Sequence, residues 1–230
     1  MAAFLILRLD GPMQAWGTHT YEDFRPVNLF PTRSGLLGLL GACLGLDRRD
    51  HAALGALADS VIFAVRADRE VQRPDGDQSP PKPALKLQDF HTVLDARKVD
   101  GSVNKNPVVS RREYLFDAAF TVAVGTRPEA VFGLERISEA LRRPRFTPVL
   151  GRRSCPIARP LLECAEPIEA ADALAALARV PPGGGPIYVE GQVEGSQDMP
   201  IRDVPSYGRI RQFGTRRVYR IADQGKGEGT

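Results

Sequence analysis

Apolar residues along the chain form short runs separated by polar, turn-forming segments. The run AFLILRL near the amino terminus is apolar almost throughout, which is typical of a central strand covered on one face. VIFAVRADREV, residues 61–71, begins with a β-branched run and continues in alternation, which predicts a second strand. REYLFDAAFTVAVGT, residues 112–126, predicts one further long strand.

Three other segments have helical patterns. The leucine-rich segment at 30–46 follows Thr32 and Ser34, either of which can cap a helix. HAALGALADS continues as a second helical segment, and PEAVFGLERISEALRRP predicts a third helix, opened by Pro128 and closed by Pro144. In this third helix the residues expected to face a core are Val131, Leu134, Ile137, Ser138 and Leu141.

Residues 72–107 interrupt the pattern, because they are polar, rich in proline and carry two Asp-Gly pairs. Their place between predicted strands favours an extended arm or a hairpin over a disordered linker. FTPVLGRRSCPI, residues 146–157, predicts strand–turn–strand structure around Gly151. IYVEG and RRVYRIA predict short strands in the C-terminal region, and the last ten residues are expected to form a loose tail.

The predicted elements follow one another as strand, helix, strand, arm, strand, helix and strand. This βαββαβ order predicts an α+β protein with a ferredoxin-like fold, the architecture that RNA-recognition modules also use. We expect this domain at residues 1–160, with the arm inserted at about 72–111. A smaller β-rich C-terminal part is expected at 161–222, and a flexible tail at 223–230.

Charge is distributed unevenly, although the net charge is only +3. Residues 101–160 carry eleven Lys and Arg against five Asp and Glu, and residues 201–220 carry six Arg against one Asp. Residues 161–200 reverse this, with one Arg against seven acids. Such segregation indicates one face for a polyanion and a separate acidic face. An arginine-rich surface without a nucleic-acid partner is the alternative.

Cysteine usage and hydropathy bound the class of protein. The three cysteines have no Cys-x-x-Cys spacing, which argues against a disulfide framework or a zinc site. No apolar run is long enough to cross a bilayer, and the amino terminus lacks the basic residues that begin a signal peptide. We therefore expect a cytoplasmic protein with no cofactor and no metal.

Four glycines recur between residues 35 and 45 of the first predicted helix. Each costs a helix roughly 0.8–1 kcal/mol relative to alanine, so their presence needs an explanation. Close packing of the helix on the sheet is one, and we expect it for Gly41 and Gly45. A phosphate seat at the first helical turn is the other, although no Lys-Ser/Thr pair follows as in a Walker A loop. The seat would consist of Arg33, Ser34 and Gly35.

Five longer motifs follow one another across residues 4–162. They are LILRLDGPMQAWG, RPVNLFPTRSGLLGLLGACLG, HTVLDARK, REYLFDAAFTVAV and PRFTPVLGRRSCPIARPL. In sequence and order they resemble the CasD family, subunits of the type I-E CRISPR Cascade complex. The resemblance implies a RAMP-superfamily protein, in which a thumb hairpin is inserted into a ferredoxin-like domain and a smaller C-terminal part follows.

The same resemblance implies a function in antiviral defence. Members of this family hold the five-prime handle of the guide RNA, cap the backbone filament and contact the large subunit that reads the PAM. They are not catalytic, and target DNA reaches them through the complex. The partners expected here are therefore the guide RNA, the Cascade backbone subunit and the large subunit, with no membrane.

Single-stranded RNA held in a fixed bend needs cations for its phosphates and flat surfaces for its bases. The residues expected to bind RNA are Gln14, Trp16, Arg25, Arg33, Ser34, Gly35, Arg111, Arg112, Tyr114, Arg145, Phe146, Arg152 and Arg153. For Trp16 and Tyr114 the alternative is burial in the core. For the arginines the alternative is an ordinary charged surface.

Two other functions stay open. Some relatives in other CRISPR subtypes cleave the guide precursor without a metal, with Tyr, Lys or His as acid and base, so a metal-independent endoribonuclease is the main alternative. The candidate groups here are His19, Tyr21 and His91, to which the sequence gives no fixed partner. A generic RNA-recognition module is the third class, but the chain lacks its aromatic-glycine motif and this class leaves the arm unexplained.

Overall fold

The computed structural model of the protein describes residues 1–68, 85–181, 184–208, 210 and 212–222. Its strands are β1 (Ala2–Asp10), β2 (Met13–Gln14), β3 (Phe24–Arg25), β4 (Val61–Asp68), β5 (Leu85–Val93), β6 (Val108–Phe116), β7 (Ala119–Thr126), β8 (Ile168–Ala170), β9 (Ile187–Val189), β10 (Gln197–Ser206) and β11 (Gln212–Ile221). Its helices are α1 (Arg33–Leu44), α2 (His51–Ser60), α3 (Leu134–Arg142) and α4 (Ala173–Ala178). The predicted tail at 223–230 and the first part of the arm, 72–84, lie outside the described residues.

Four strands form a ferredoxin-like unit within the larger sheet. Their spatial order is β4-β7-β1-β8, and each pair of neighbours is antiparallel. Helix α1 lies between β1 and β4 along the chain, and α3 lies between β7 and β8. The chain order is therefore βαββαβ with the first and third strands of the unit paired at its centre, which confirms the predicted fold.

The fourth strand of this unit is not where the sequence pattern placed it. Residues 146–157 form a loop closed by an isolated bridge between Val149 and Pro156, and β8 occupies the edge beside β1. Gly151 holds this loop against the segment after β1. Its φ is +90°, and a Cβ there would lie 2.0 Å from the carbonyl oxygen of Ala15. The ferredoxin-like unit therefore uses residues on both sides of the boundary predicted at residue 160.

The C-terminal strands continue the same sheet beyond β4. β9 pairs with β4, β11 with β9, and β10 with β11, so the described residues give a sheet of seven strands. β9 and β11 correspond to the two predicted short strands. β10 was not predicted, because Pro200 and Pro205 interrupt its pattern. As the edge strand of the sheet, β10 tolerates both prolines.

Strands β5 and β6 form a hairpin, as predicted for the arm. They pair from Leu85 opposite Phe116 to Val93 opposite Val108. The other edge of β6 pairs with β2 and with β3, which fastens the hairpin to the rest of the protein. We call residues 85–116 the thumb, and the part of β6 paired with β3 the thumb root.

The stretch at 112–126 is two strands and not one, which corrects the sequence prediction. Asp117 has a φ of +50° between β6 and β7, so the chain leaves the smaller sheet and enters the centre of the larger one. Leu115 and Phe120 are both buried on either side of this turn. Because both sides are apolar, the pattern did not reveal the break.

The third helix begins later than predicted. Gly133 is its N-cap and the first helical residue is Leu134, whereas Glu129, close to the predicted start, has a φ of +59°. Val131 therefore lies outside the helix and is 67% exposed, so its predicted place in the core is wrong. The predicted core residues that are buried are Ile137, Ser138 and Leu141.

Both faces of the larger sheet are covered. On one face Leu5, Leu7 and Leu9 of β1 join the cluster that also contains the leucines of α1 and the buried residues of α3. On the other face Phe4 and Ile6 pack in a second cluster with α4. Alternate side chains of β1 therefore pack into two different hydrophobic cores, one on each face of the sheet.

A buried ionic cluster completes the second face. The Asp68 carboxylate, whose side chain is 1% exposed, accepts hydrogen bonds from Arg8, from Arg66 at 2.6 Å and from Thr121 at 2.5 Å. Arg66 also donates to the carbonyl oxygen of Leu177 in α4 at 2.8 Å. RNA-recognition modules bind RNA on this face, and here α4 and the cluster close it.

Helix α1 begins and ends at residues that suit its termini. Thr32 is the N-cap, and its Oγ1 accepts a hydrogen bond from the Gly35 N–H at 3.3 Å. Gly45 ends the helix in the left-handed conformation, with a φ of +74°. The sequence prediction of Thr32 as one of two possible caps is confirmed. None of the described helices is both long and apolar enough to cross a bilayer.

The glycines of α1 differ in what they face. A Cβ at Gly35 would lie 2.8 Å from the Trp16 ring, whereas a Cβ at Gly41 would meet Leu54 at an ordinary 3.6 Å. The close approach predicted at Gly41 is therefore absent there and is found at Gly35. At Gly45 a Cβ would lie 2.2 Å from the Arg145 side chain, which belongs to a loop and not to the sheet. At Gly38, on the exposed side of α1, a Cβ would meet nothing within 4 Å.

A buried carboxylate joins β10 to the amino end of α1. Asp203 is 1% exposed and accepts a hydrogen bond from the backbone N–H of Arg33 at 2.7 Å. Arg216 of β11 donates to both oxygens of this carboxylate, at 2.6 and 2.9 Å. Arg33 and Arg216 also share Glu190 as an ion-pair partner. The anion that a helix amino terminus favours is thus supplied by the protein itself.

Alanine substitutions at two glycines of α1 should change stability in opposite directions. Gly35→Ala should lower the free energy of unfolding by about 1–3 kcal/mol, because the buried Trp16 ring would have to move. Gly38→Ala should raise it by up to about 1 kcal/mol, since the new methyl group meets nothing and alanine favours the helix. Urea unfolding of both variants measures this, and equal effects would contradict the packing described for Gly35.

Removal of the Asp203 carboxylate should be costly. Asp203→Ala leaves Arg216 without its main partner in a largely buried place, so we expect a loss of about 3–5 kcal/mol in the free energy of unfolding. Asp198→Ala, which removes the exposed partner of Arg217 on the same hairpin, is the control and should cost less than about 1 kcal/mol. Similar losses for the two variants would show that the buried network does not hold the hairpin.

Candidate nucleic-acid interface

The positive end of α1 is already paired with a carboxylate of the protein, Asp203. This corrects the predicted phosphate seat. The Arg33 side chain is buried, and its Nη2 donates to the carbonyl oxygens of Ala58 at 2.6 Å and Val61 at 3.1 Å. Its Nη1 pairs with Glu190, and its backbone N–H binds Asp203. Arg33 therefore holds the fold together and does not present a free cation to RNA.

Trp16 and Gln14 form a buried polar pair. Trp16 Nε1 donates to Gln14 Oε1 at 2.9 Å, and Gln14 Nε2 donates to the carbonyl oxygens of Leu9, at 3.1 Å, and Ala118. Both side chains are 0% exposed, and the Trp16 ring packs against Gly35. A ring buried in this way is not available to stack on a base. The core alternative therefore holds for Trp16, and the predicted RNA contact of Gln14 is corrected with it.

Three of the predicted arginines meet at the thumb root. Parallel pairing of β3 with β6 places Arg25 beside Arg112 and Phe24 beside Arg111. Arg111 is exposed and forms an ion pair with Asp23 at 3.3 Å. The hydrogen bond and the charge of Arg111 lower the pKa of the Asp23 carboxyl, so Asp23 stays ionised and offsets one of the three positive charges.

Arg112 is half-buried, and its Nε donates to Ser110 Oγ at 3.0 Å. Arg25 is also half-buried, and it donates to the carbonyl oxygen of Phe24 at 3.2 Å. Within the described ranges neither guanidinium is in an ion pair. The thumb root therefore carries a net positive charge that is suited to phosphate.

Tyr114 and Arg152 fasten the thumb to the loop at 146–157. The Tyr114 hydroxyl lies 3.0 Å from His91 Nε2, and the ring is 2% exposed. The Arg152 guanidinium lies 4.9 Å from the centre of this ring and donates to the carbonyl oxygens of Glu113, at 2.9 Å, and Arg25, at 3.1 Å. For Tyr114 the core alternative therefore holds, whereas the RNA contact of Arg152, which is half-buried, stays a prediction.

The remaining predicted residues are exposed or half-buried, and all but Arg153 lie in α1 or at its carboxyl end. Arg145, Phe146 and Arg153 are exposed, and the backbone N–H groups of Arg145 and Phe146 donate to the carbonyl oxygens of Cys43 and Ala42, each at 3.0 Å. These two bonds hold Arg145 and Phe146 at the carboxyl end of α1. Ser34 and Gly35, at its amino end, are half-buried.

Two open cavities adjoin along the exposed side of α1. The one at the amino end of the helix has a volume of about 580 Å³, and the one at the carboxyl end about 790 Å³. Both are lined by Gly38 and Ala42, so together they form one groove, which we call the α1 groove. Ser34 and Gly35 line one part of it and Phe146 the other.

Sequence reasoning missed most of the side chains that line the α1 groove. Thr18 and Thr20 come from the loop after Trp16, and Arg202 and Gln212 from the C-terminal hairpin. Nothing local marks these residues, because the groove forms only when distant segments pack. For the pair at 48–49 a signal was present, since two consecutive arginines lie in a short polar turn between two apolar helices.

The chemical groups of this surface are suited to binding. No group of three His, Cys, Asp or Glu side chains within the described part of the chain could hold a metal ion. Burial raises the pKa of the Cys43 thiol to about 11, so this residue is an inert part of the core. What the surface offers is guanidinium groups, hydroxyls and an exposed phenyl ring, a combination that suits single-stranded nucleic acid.

Comparison with known proteins shows relatives that match almost the whole chain. The family model described as CRISPR-associated protein (Cas_Cas5) matches residues 4–219. The CRISPR system Cascade subunit CasD of Escherichia coli (strain K12) is 47% identical over 225 residues, which is 96% of each chain. This confirms the resemblance to the CasD family that the sequence motifs indicated.

Solved structures agree with these matches. A chain of a CRISPR RNA-guided surveillance complex superposes with a TM-score of 0.74 at 28% identity, over 96% of this chain and 90% of that one. A crystal structure of a Cas protein superposes with a TM-score of 0.63 at 27% identity, over 95% and 94% of the two chains. On these grounds the chain belongs to the Cas5 family of CRISPR-associated proteins.

Proposed function

We propose that this chain is a subunit of a type I-E Cascade surveillance complex, where it holds the five-prime handle of the guide RNA and caps the backbone filament. The names of its relatives support this, since one is a Cascade subunit and another belongs to an RNA-guided surveillance complex. Its partners are then the guide RNA, the backbone subunit and the large subunit. Its place is the cytoplasm, and it acts in antiviral defence.

The observation that carries the proposal is the thumb with its cationic root. Many large apolar side chains of the thumb are exposed, although a soluble hairpin gains nothing from exposing them. They are Leu87, Phe90, Val93, Leu94, Val99, Val103, Val108 and Val109. An apolar hairpin above a cluster of arginines fits an RNA strand at the root and a protein neighbour along the hairpin.

The closed face of the larger sheet supports the same location. Helix α4 and the Arg8–Asp68–Arg66 cluster cover the other face of the sheet, which supports placing the RNA strand on the side of the thumb and α1. The basic segment at 101–160 lies on that side in part, through the thumb root and the loop with Arg153. Arg25, Arg111, Arg112 and Arg153 are the residues we assign to the handle.

Endoribonuclease activity is the alternative, and one contact favours testing it. His91 Nε2 lies 3.0 Å from the Tyr114 hydroxyl and 3.1 Å from Asp89 Oδ2, which is a plausible arrangement for proton transfer. The Tyr114 side chain is buried, however, so its hydroxyl does not face a space where RNA could bind. We therefore assign this contact to the packing of the thumb and propose that the chain does not cleave RNA.

Removal of the thumb-root cations should reduce guide retention. A tagged chain with Arg111→Ala and Arg112→Ala, co-expressed with the Cascade partners and a guide, should recover roughly tenfold less guide RNA than the unchanged chain, because two charge-assisted phosphate contacts are lost. The control carries Arg136→Ala and Arg217→Ala, two exposed arginines outside the thumb and the α1 groove. Equal guide recovery by the two variants would contradict the assignment of the thumb-root arginines to the five-prime handle.

The purified chain, free of other subunits, should leave labelled repeat RNA intact both in EDTA and in magnesium. The physical reason is that the His91–Tyr114 pair is used internally. Gel analysis over time measures the product. Cleavage at one site that disappears in His91→Ala but persists in His51→Ala, a change at an exposed histidine far along the chain, would establish the nuclease alternative instead.

A further inference from the structure

The turn between α1 and α2 carries two cations that the fold does not use. Arg48 and Arg49 are exposed, and among the described residues no hydrogen bond or ion pair involves either guanidinium. The neighbouring carboxylates are committed to backbone groups: Asp47 Oδ1 accepts from the Arg49 N–H at 2.8 Å, and Asp50 Oδ1 accepts from the Ala53 N–H at 3.0 Å. Both guanidinium groups are therefore available to an external anion in the part of the α1 groove at the carboxyl end of the helix.

An aromatic ring lies at the same end of the groove. Phe146 is 50% exposed, and its backbone N–H donates to the Ala42 carbonyl oxygen at 3.0 Å. A half-exposed phenyl group on a fixed backbone is a surface on which a base can stack at little cost in conformational entropy. Two free guanidinium groups beside one such ring are the combination that single-stranded nucleic acid binding requires.

The floor of the groove between its two ends is bare helix. Gly38 lies in the middle of α1, where glycine disfavours the helix, and no neighbouring atom of the protein explains its presence. From Gly35 to Ala42 the helix rises roughly 10 Å, so a strand that enters at the hydroxyl-lined end can reach the Arg48–Arg49 turn along one continuous path. The hydroxyl-lined end also includes Gly151 of the loop at 146–157, and the next residue, Arg152, donates to the carbonyl oxygen of Arg25 at the thumb root.

We propose that the α1 groove is a second RNA contact of this chain, distinct from the thumb root. In it Arg48 and Arg49 bind phosphates, Phe146 stacks on a base, and Gly38 leaves room for the strand. The ligand class is single-stranded RNA that continues from the thumb root. This inference rests on the proposed function, because it takes the RNA to be held at the root as well.

The test measures the affinity of the purified full chain for a fluorescently labelled, unstructured RNA over a series of salt concentrations. In Arg48→Ala with Arg49→Ala, the slope of log K against log salt should become shallower by about 1.4, since each phosphate contact on a single strand contributes about 0.7. In Phe146→Ala the affinity should fall roughly fivefold to a hundredfold with an unchanged slope, because a stacking contact carries no charge.

A third variant tests whether the strand lies in the groove without changing any charge. Gly38→Leu adds a side chain where nothing packs, so the protein should fold and melt normally, yet lose roughly tenfold in affinity as the strand is displaced. The charge-matched control with Arg136→Ala and Arg217→Ala should keep the slope of the unchanged chain. Competition by polyglutamate of equal charge should be weak.

Each outcome decides between the proposals. A normal slope for the Arg48 and Arg49 variant, while Arg111→Ala with Arg112→Ala still loses affinity, overturns the groove and leaves the proposed function standing. Absence of RNA binding by the unchanged chain overturns both. Full affinity in Gly38→Leu, or polyglutamate competing as well as RNA, shows that the patch attracts anions in general and that no strand lies in the groove.

Discussion

The arrangement of the α1 groove depends on the Asp203 carboxylate beneath the amino end of α1. Asp203 lies where the register between β10 and β11 shifts, between Arg202 and Val204. A bulge of this kind re-aims a side chain, and here it turns Asp203 towards the Arg33 N–H and Arg216. The contact therefore positions the hairpin that supplies Arg202 and Gln212 to the wall of the α1 groove.

This internal anion also changes what α1 can do. A helix amino terminus attracts one anion, and its positive end is already compensated here by a carboxylate held with a bidentate arginine. A phosphate at the same place would have to displace Asp203 and leave Arg216 with Glu190, at 3.4 Å, as its ion-pair partner. A nucleic acid bound as proposed would therefore lie on the exposed flank of α1 and not at the end of its axis.

The large sheet imposes a second constraint on the same side. A ferredoxin-like sheet with one free face can bind RNA on its strands, but here alternate residues of β1 build cores on both faces. Arg66 ties α4 to the sheet through the Leu177 carbonyl oxygen, so this cover is not a loose lid. The proposed binding would therefore use an insertion into the fold, and the insertion between β4 and β7 is the thumb.

The sequence predicted the parts of the fold that local sequence patterns determine. The runs that form β1 and β4 and the cap at Thr32 follow from neighbouring residues, and the structure contains them. The break at Asp117 was missed because apolar residues lie on both sides and belong to different sheets. The buried state of Trp16 was left open, because it depends on Gly35 and Gln14 closing around it, and a pattern of polarity does not contain that contact.

For the candidate site, the sequence identified arginine as the important residue type but did not show which arginines were free. Arg33 and Arg152 each donate to two carbonyl oxygens, and Arg66 joins a carboxylate, a hydroxyl and a carbonyl oxygen. A guanidinium serves several acceptors through five donors fixed in one plane, whereas an ammonium group has three donors at the end of a flexible stem.

The abundance of arginine in this chain therefore has two physical origins. Part of it satisfies buried carbonyl oxygens and carboxylates, and this part would be present in a protein that never meets RNA. The other part has no such partner, as at 48–49, or lies at an exposed edge, as at Arg111. Only this second part can respond to a polyanion, so charge counted along the sequence overstates the binding surface. The hydrogen bonds of each guanidinium, and not its position in a basic segment, separate the two groups.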